Sequence, residues 1–375
     1  MGCRRVQLPW LEQCTATGAP GDRMGGRNMN SRILACGPGL AVLGTLLVFS
    51  SAGAAPPTGQ FLGGTETTYP DWFKSSFLEF ADDVKEAAAD GKRVVIFFHQ
   101  DDCPYCNALV TRNLSQKQIE AKLRSGFDVV ALNLRGNRQV VTVDGETFAE
   151  KDFARALNIQ FTPTLIFLDE SGQPVLRLNG YVPPAEFEAA LDYVGGRLEN
   201  QSGYQEYLAN RLPTDSAGAL SEAGFFAPPP HDLEAARSSG KPLAVFFEQR
   251  QCPNCASLHA EALADPGTRE LIDSFHAIQL DMWSPDQVIT PSGKATNARD
   301  WARDLNVTYA PTIILFSSEG SEVIRSEAWL RTFHTQSVFD YVASDAYRDE
   351  PDFQRFLTER ANRIRATGTD VDIWQ

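Results

Sequence analysis

The sequence has little positive charge for its length. Its 375 residues include 34 Lys and Arg against 48 Asp and Glu, which gives a formal net charge of −14. Such a surface repels phosphate backbones, so nucleic acid is disfavoured as a partner. The excess of carboxylates is typical of a solvated surface that keeps a protein soluble, with a basic protein partner as the alternative. A glycine-rich phosphate loop and a nucleophilic serine motif are also missing, so nothing predicts nucleotide binding or hydrolysis.

Cysteine is scarce outside two short pairs. Three of the seven cysteines lie near the N-terminus, and the other four form two Cys-x-x-Cys motifs, Cys103 with Cys106 and Cys252 with Cys255. A bond across two residues closes a very short loop, so the pairs indicate redox chemistry rather than structural disulfides. The pairs lie 149 residues apart, too far for a zinc ribbon, and no histidine follows either pair as haem attachment requires. We therefore expect no metal and no cofactor.

A long apolar run occurs near the N-terminus, from Ile33 to Phe49. Arginines precede this run and small residues follow it at 50–55, a pattern typical of a secretory signal peptide. Glycine and proline interrupt the run and weaken it as a membrane-spanning helix. We expect residues 1–54 to be a cleaved targeting segment that sends the protein to the periplasm or another exported location. A retained N-terminal membrane anchor is the alternative.

An internal repeat organises the rest of the chain. The block starting at Lys92 reads KRVVIFFHQDDCPYC, and the block starting at Lys241 reads KPLAVFFEQRQCPNC, with no gap between them when aligned. Further along, RALNIQFTPTLIFLDESG from Arg155 matches RDLNVTYAPTIILFSSEG from Arg303. A period of this length indicates two copies of one domain. We place domain 1 at 65–211, a Pro-rich and Gly-rich linker at 212–230, and domain 2 at 231–365.

Each copy predicts the same succession of elements: helix, strand, helix, strand, helix, strand, strand, helix. The apolar strand before each cysteine pair is followed by a helix that the pair opens. The predicted strands are 94–98, 129–134, 165–168 and 175–178 in the first copy, and 243–247, 277–281, 313–316 and 322–325 in the second. The remaining predicted helices are 77–89, 184–198, 232–238 and 336–346. The expected class is α/β, with a central mixed sheet flanked by helices in each domain.

The order of strand, Cys-Pro-Tyr-Cys and a downstream Thr-Pro-Thr resembles the thioredoxin-fold oxidoreductases, and both copies show it. More narrowly, the Phe-Phe-x-Gln-x-x-Cys-Pro-x-Cys lead-in, the Asn-Leu-Arg-Gly at 133–136 and the Gly-Tyr-Val at 180–182 resemble the SoxW-like periplasmic thioredoxins. Two features depart from the thioredoxin pattern. Asp102 and Gln251 replace the aromatic residue before the first cysteine, and Phe97 and Phe246 occupy the position of the buried acid.

Chemistry and resemblance together assign roles to ten residues. A cysteine at a helix N-terminus is favoured as thiolate, which makes Cys103 and Cys252 the predicted nucleophiles and Cys106 and Cys255 the buried resolving thiols. The resemblance implies cis prolines beside the sulfurs, where the preceding residue pairs with an extended substrate. The implied substrate-binding residues are Thr162, Pro163, Ala310 and Pro311. His99 and Glu248, four residues before each nucleophile, are candidate proton acceptors or else exposed residues at strand ends.

The two pairs differ in local charge. Asp101 and Asp102 precede Cys103, whereas Arg250 lies two residues before Cys252. A positive neighbour stabilises a thiolate, so the second pair is predicted to be the more oxidising. The predicted function is exchange of disulfides with exported proteins, as a reductase fed by a membrane electron donor. A disulfide oxidase or isomerase of folding proteins, and a non-catalytic thioredoxin-fold binding module, are the alternatives.

Overall fold

The protein is described by a computed structural model that covers residues 58–211 and 218–374. The predicted targeting segment, 1–54, lies outside the described residues. Within the described ranges no helix is long and apolar enough to cross a membrane.

Domain 1 contains a four-stranded sheet with helices on both faces. A short strand and a helix come first. Six strands and three helices follow up to residue 179, and two more helices come after them. In chain order the elements are β1 (Phe61–Leu62), α1 (Phe80–Ala89), β2 (Arg93–His99), α2 (Pro104–Ala108, continued by a π-helical turn Leu109–Leu114), α3 (Lys117–Gly126), β3 (Phe127–Asn133), β4 (Gln139–Val141), β5 (Thr147–Ala149), α4 (Glu150–Ala156), β6 (Thr164–Leu168), β7 (Pro174–Asn179), α5 (Pro184–Gly195) and α6 (Tyr204–Arg211).

Domain 2 repeats this succession. Its elements are β8 (His231–Asp232), α7 (Leu233–Ala236), β9 (Leu243–Glu248), α8 (Pro253–Ala260), α9 (Pro266–Ile272), β10 (His276–Asp281), β11 (Gln287–Ile289), β12 (Ala295–Asn297), α10 (Ala298–Asp304), β13 (Thr312–Phe316), β14 (Glu322–Ser326), α11 (Thr332–Ala343), α12 (Phe353–Ala366) and β15 (Val371–Asp372).

The two main sheets have the same topology. Their strand orders are β3-β2-β6-β7 and β10-β9-β13-β14. The strand that leads into each cysteine pair lies inside the sheet, parallel to one neighbour and antiparallel to the other. This mixed sheet, with helices on both faces, confirms the predicted fold class.

Both faces of each central strand are buried. In β2, Val95 and Phe97 point to the apolar cluster under α2 and α5, while Val94, Ile96 and Phe98 point to the cluster under α1 and α4. Alternation of side chains along a strand produces these two sets, and the run is apolar throughout because both sets are covered. In β9 the same alternation places Phe246 on one face and Phe247 on the other.

The cluster on the α2 and α5 face of domain 1 continues without a break into domain 2. A two-residue parallel pairing also joins the ends of the chain, because Phe61 and Leu62 of β1 lie beside Val371 and Asp372 of β15. The two domains therefore share apolar packing and a strand pairing.

Several elements differ from their predicted bounds. Helix α5 ends at Gly195, whereas the sequence predicts continuation to Leu198, and α11 spans Thr332–Ala343, four residues earlier than predicted at its start. The hairpins β4-β5 and β11-β12 and the helix α12 are not predicted at all. The hairpin strands have three residues each, too few for a period to be visible.

The predicted linker, 212–230, is described only from residue 218. Its Phe225 and Phe226 pack against the core of domain 2, where the ring of Phe226 lies 5.0 Å from that of Phe246. The backbone N–H of Ala227 donates to Ala277 O at 2.8 Å. This part of the segment is thus held against domain 2, and the domain bounds derived from the sequence stay a prediction.

Candidate active sites

The first centre is the Cys103 and Cys106 pair, whose sulfurs are bonded to each other. Cys103 caps the N-terminus of α2, and Pro104 takes the first helical position, where a missing N–H costs nothing. The backbone N–H of Cys106 donates to Cys103 Sγ at 3.0 Å. Cys106 is fully buried and Cys103 is nearly so. The helix therefore presents a donor and the positive end of its dipole to Cys103 Sγ, which favours a thiolate there after reduction.

A cis-proline segment lies beside this sulfur. The Thr162–Pro163 peptide bond is cis. The carbonyl oxygen of Thr162 lies 3.7 Å from Cys103 Sγ, and the Thr162 hydroxyl lies 3.4 Å from it. The hydroxyl can donate a hydrogen bond to a thiolate at this position.

The second centre, Cys252 and Cys255, repeats the arrangement on α8. The two sulfurs are bonded, and the N–H of Cys255 donates to Cys252 Sγ at 3.0 Å. The Ala310–Pro311 bond is cis, and Ala310 O lies 3.6 Å from Cys252 Sγ. Because alanine replaces threonine, this centre has no counterpart of the Thr162 hydroxyl.

His99, at the end of β2, sits among aromatic rings. Its ring centroid lies 4.6 Å from that of Tyr69 and 6.0 Å from that of Phe97. The buried Nδ1 atom has no hydrogen-bond partner among the described residues. Desolvation lowers the pKa of His99, so its imidazole is neutral at pH 7.

Glu248 occupies the matching position in β9 and is fully buried, so its interpretation as an exposed residue at a strand end is wrong. Its Oε1 lies 2.8 Å from His259 Nε2, and its Oε2 accepts from Gln279 Nε2 at 3.0 Å. His259 lies four residues after Cys255 on α8, which places both side chains on one face of the helix. The fully buried carboxyl group of Glu248 and the partly buried imidazole of His259 therefore lie beside the helical turn that carries Cys255.

Sequence reasoning does not identify His259 and Gln279 as members of this site. The spacing of Cys255 and His259 was the available signal for the histidine. The glutamine lies on the neighbouring strand β10, at a position fixed only by sheet register. Domain 1 has no equivalent network, because the matching residues are Val110 and Ala131.

The charges near the sulfurs are partly paired. Arg250 Nε lies 3.1 Å from Asp281 Oδ2, so an adjacent carboxylate offsets much of its positive charge. Asp101 Oδ1 accepts from Asn133 Nδ2 at 3.3 Å and stays exposed. The difference in local charge between the centres is therefore smaller than the sequence alone indicates. Across the described ranges no three His, Cys, Asp or Glu side chains are grouped as metal ligands would be.

Comparison with known proteins identifies a family that both cysteine centres match. A family model described as a thioredoxin-like domain matches residues 80–195 and 229–342, more than half of the chain. The chain belongs to the thioredoxin-like family. Each match covers one cysteine pair and one cis-proline segment, so both domains of this thioredoxin-like protein carry a complete centre.

Among curated proteins, the thioredoxin-like chain is 28% identical over 155 residues to the thiol:disulfide interchange protein DsbD of Vibrio cholerae. The matched part is 40% of this chain and 23% of that protein, so the chain spans less than a quarter of its relative's length.

Two solved structures illustrate the likeness. A thioredoxin-fold protein from Helicobacter pylori is 19% identical, with 37% of this chain and 92% of that chain covered and a TM-score of 0.30. The reduced C-terminal domain of Neisseria meningitidis DsbD is 16% identical, with 30% and 90% covered and a TM-score of 0.24. The narrower SoxW-like resemblance of this thioredoxin-like protein stays a prediction.

Proposed function

We propose that the protein is an exported thiol-disulfide oxidoreductase of the protein-disulfide reductase type. One observation carries the proposal: each domain holds a cysteine sulfur at a helix N-terminus, 3.0 Å from a donating backbone N–H and 3.6 to 3.7 Å from the carbonyl of a cis-proline segment. The similarity to a thiol:disulfide interchange protein supports the same class of reaction.

The exchange proceeds in two substitutions at sulfur. The thiolate of Cys103 or Cys252 attacks one sulfur of a partner disulfide, which forms a mixed disulfide and releases one partner thiolate. The thiolate of Cys106 or Cys255 then attacks the enzyme sulfur of that bond, closes the intramolecular disulfide and releases the second partner thiol. Two electrons pass to the partner, and an external dithiol donor, proposed to be in the membrane, restores the reduced pair.

The resolving step needs a group that removes a proton from a buried thiol. We assign this role to Glu248 at the second centre, where His259 links the carboxylate to the helix that carries Cys255. At the first centre His99 is the candidate, since burial keeps its imidazole neutral and able to accept a proton.

The partner is proposed to be an exported protein that presents an extended segment. Its backbone would pair with Thr162 or Ala310, the residues before the cis prolines, in the manner of an added strand. The SoxW-like resemblance extends this proposal to proteins of sulfur oxidation or cytochrome maturation. Export rests on the signal-peptide pattern of residues 1–54.

Reduction potentials test the proposal against its two alternatives. Variants with Cys103→Ser and Cys106→Ser, or with Cys252→Ser and Cys255→Ser, each leave one centre to titrate in glutathione and dithiothreitol buffers, read by mass spectrometry. Potentials near about −270 mV, as in thioredoxin, are expected for a reductase. Values near about −120 mV would indicate a disulfide oxidase instead. Cysteine pairs that are neither oxidised nor reduced across these buffers would indicate a non-catalytic binding module.

A further inference from the structure

The two centres differ in how far their surroundings are covered. Between the cysteines of the second centre, Pro253 is exposed and Asn254 is half-buried. Between those of the first centre, Pro104 is buried and the side chain of Tyr105 is only 5% exposed. Because the residues between the cysteines form part of the face that a partner must approach, the first centre is the less accessible of the two.

Tyr105 is buried by residues of domain 2 that pack against it. The backbone N–H of Arg331 donates to the Tyr105 hydroxyl at 2.9 Å, and that hydroxyl lies 3.3 Å from His334 Nδ1. The Tyr105 ring makes edge contacts with His334 and Trp374, with centroids 5.1 and 5.2 Å apart. These contacts come from the start of α11 and from the residues that follow β15, so two separate segments of domain 2 close on one side chain.

The cis-proline segment of domain 1 is covered by the same domain. The ring of Phe161 lies 5.4 Å from that of Phe353, and Gln354 Nε2 donates to Gln160 O at 2.7 Å. Gly180, after β7, approaches Ala328 so closely that a Cβ at position 180 would lie 2.5 Å from the alanine Cβ. Domain 2 thus contacts the cysteine helix, the residues before the cis proline and the loop after β7, and we call the surface between these elements the substrate groove of domain 1.

The residue before the nucleophile, Asp102, is also contacted, by the segment that follows β1. The N–H of Thr65 donates to Asp102 O at 3.4 Å, and this segment begins with β1, which pairs with β15. The C-terminal strand therefore fixes the chain that lies against Asp102. The hydroxyl of the buried Tyr105 and the part-buried carbonyl of Gln160 both have partners across the interface, so separating the domains would leave polar groups that water must then solvate.

We propose that domain 2 occupies the substrate groove of domain 1, so that protein disulfides react first at the second centre and reach the first only when this interface opens. The inference rests on the proposed disulfide exchange. It makes Tyr105, His334 and Trp374 the residues that determine which centre accepts a protein, without taking part in the chemistry.

The test compares the access of reagents of two sizes to Cys103 and Cys252 in the reduced full chain. Each cysteine is alkylated with iodoacetamide and with a maleimide that carries a polyethylene glycol chain, and mass spectrometry assigns the modified peptides. The ratio of the large-reagent rate to the small-reagent rate is compared, because differences in thiolate reactivity largely cancel in it. We expect this ratio to be roughly tenfold or more lower at Cys103 than at Cys252, as for a site that reacts only by local opening.

Two variants open the interface and one serves as the matched control. Tyr105→Asn gives the first centre the residue that the second centre has at this position. Trp374→Ala removes a ring of domain 2 that packs on Tyr105, with no change in the sequence of the cysteine helix. Both should raise the ratio at Cys103 by several-fold and leave that at Cys252 unchanged. Asn254→Tyr, the reverse exchange, should leave both ratios near those of the original chain.

Equal ratios at the two cysteines in the original chain would overturn the proposal. A ratio at Cys103 that neither variant raises would also overturn it, provided that circular dichroism shows a folded chain. A failure of the proposed function can be distinguished from a failure of this inference. Alkylation needs no disulfide partner, and the reduction potentials of the two cysteine pairs do not depend on whether a protein can reach them.

Discussion

The buried Glu248 gives the most informative test of the second centre, because its structural and chemical roles can be separated. Replacing it with alanine leaves His259 Nε2 without its acceptor, while Gln279 Nε2 loses one of two hydrogen bonds and keeps the one to Ser221 O. The unsatisfied His259 donor costs about 1–3 kcal/mol and the lost Gln279 hydrogen bond about 1 kcal/mol, so the substitution costs about 2–4 kcal/mol. A domain of this size is stable by only about 5–15 kcal/mol. We therefore expect Glu248→Ala to unfold at a much lower urea concentration.

Glu248→Gln keeps the shape and one acceptor oxygen but removes the carboxylate. Its stability should fall by only about 1 kcal/mol, roughly the value of one hydrogen bond. The proposed proton transfer from the Cys255 thiol then lacks its acceptor, and a positioned acid or base contributes about 10²–10⁴-fold to a rate. Solvent hydroxide can replace part of that contribution, so the resolving step should slow by roughly 10–100-fold.

The assay follows the reaction of the reduced chain with dithiobis(nitrobenzoate) in a stopped-flow instrument. Cys103→Ser and Cys106→Ser in the background restrict the signal to the second centre. The attack by Cys252 releases one coloured thiolate, and the attack by Cys255 then releases the second. In Glu248→Gln we expect the first phase to be unchanged and the second to be slower, with a pH profile shifted toward higher pH. His99→Gln, in the background that keeps only the first centre, is the matched comparison.

The result that would refute this reasoning is a second phase of normal rate and pH profile in a Glu248→Gln chain that is folded. It would mean that the pairing of Glu248 with His259 only stabilises the domain. An equal slowing of both phases would refute it as well, because the nucleophile would then be affected.

Three further changes have expected outcomes. Burial lowers the pKa of His334 to about 4. The unfolded chain therefore binds more protons than the folded chain below about pH 6.5, and stability falls as the pH drops toward 4. Because the ring keeps some solvent contact, His334→Asn should reduce the loss of stability between pH 7 and pH 5 by at most about 2 kcal/mol in urea unfolding, and an unaltered pH dependence would contradict this. Phe353→Ala removes a ring that is only 1% exposed and should cost about 3–5 kcal/mol, measured by denaturant unfolding, with less than about 1 kcal/mol refuting the packing argument. Thr162→Ala removes the hydroxyl near Cys103 and should raise the pKa of the Cys103 thiol by about half a unit to one unit, measured by pH-dependent alkylation. Ala310→Thr should lower the pKa of the Cys252 thiol. No shift in either variant would mean that the hydroxyl does not bind the thiolate.

The outcome for the sequence predictions depends on whether a signal is local. The β2 and β9 strands are visible because both of their faces are buried, which makes the runs at 94–98 and 243–247 continuously apolar. The cysteine pairs and the two prolines are visible because the same residues recur in register in both copies, whereas the cis state of the prolines was implied only by the family resemblance. The repeat thus supported the predicted fold class and predicted two copies of one domain, each with one candidate cysteine pair.

Other features depend on contacts between distant parts of the chain, which no short window of sequence records. Gln279 reaches Glu248 only through the register of β10 on β9, across 31 residues of sequence. The strands β1 and β15 have two residues each and pair across almost the whole described chain. Neither carries a period, because a two-residue strand exists only where a partner supplies its hydrogen bonds.

The sequence by itself predicted two similar centres, since similar motifs fold locally into similar turns and helices. Only the tertiary structure decided that the centres are unequal. Tyr105 and Asn254 occupy equivalent positions, yet one is buried against Arg331 and His334 and the other is half-exposed. The physical reason is that burial is a property of what packs against a residue, and the packing partner here lies more than 200 residues away along the chain.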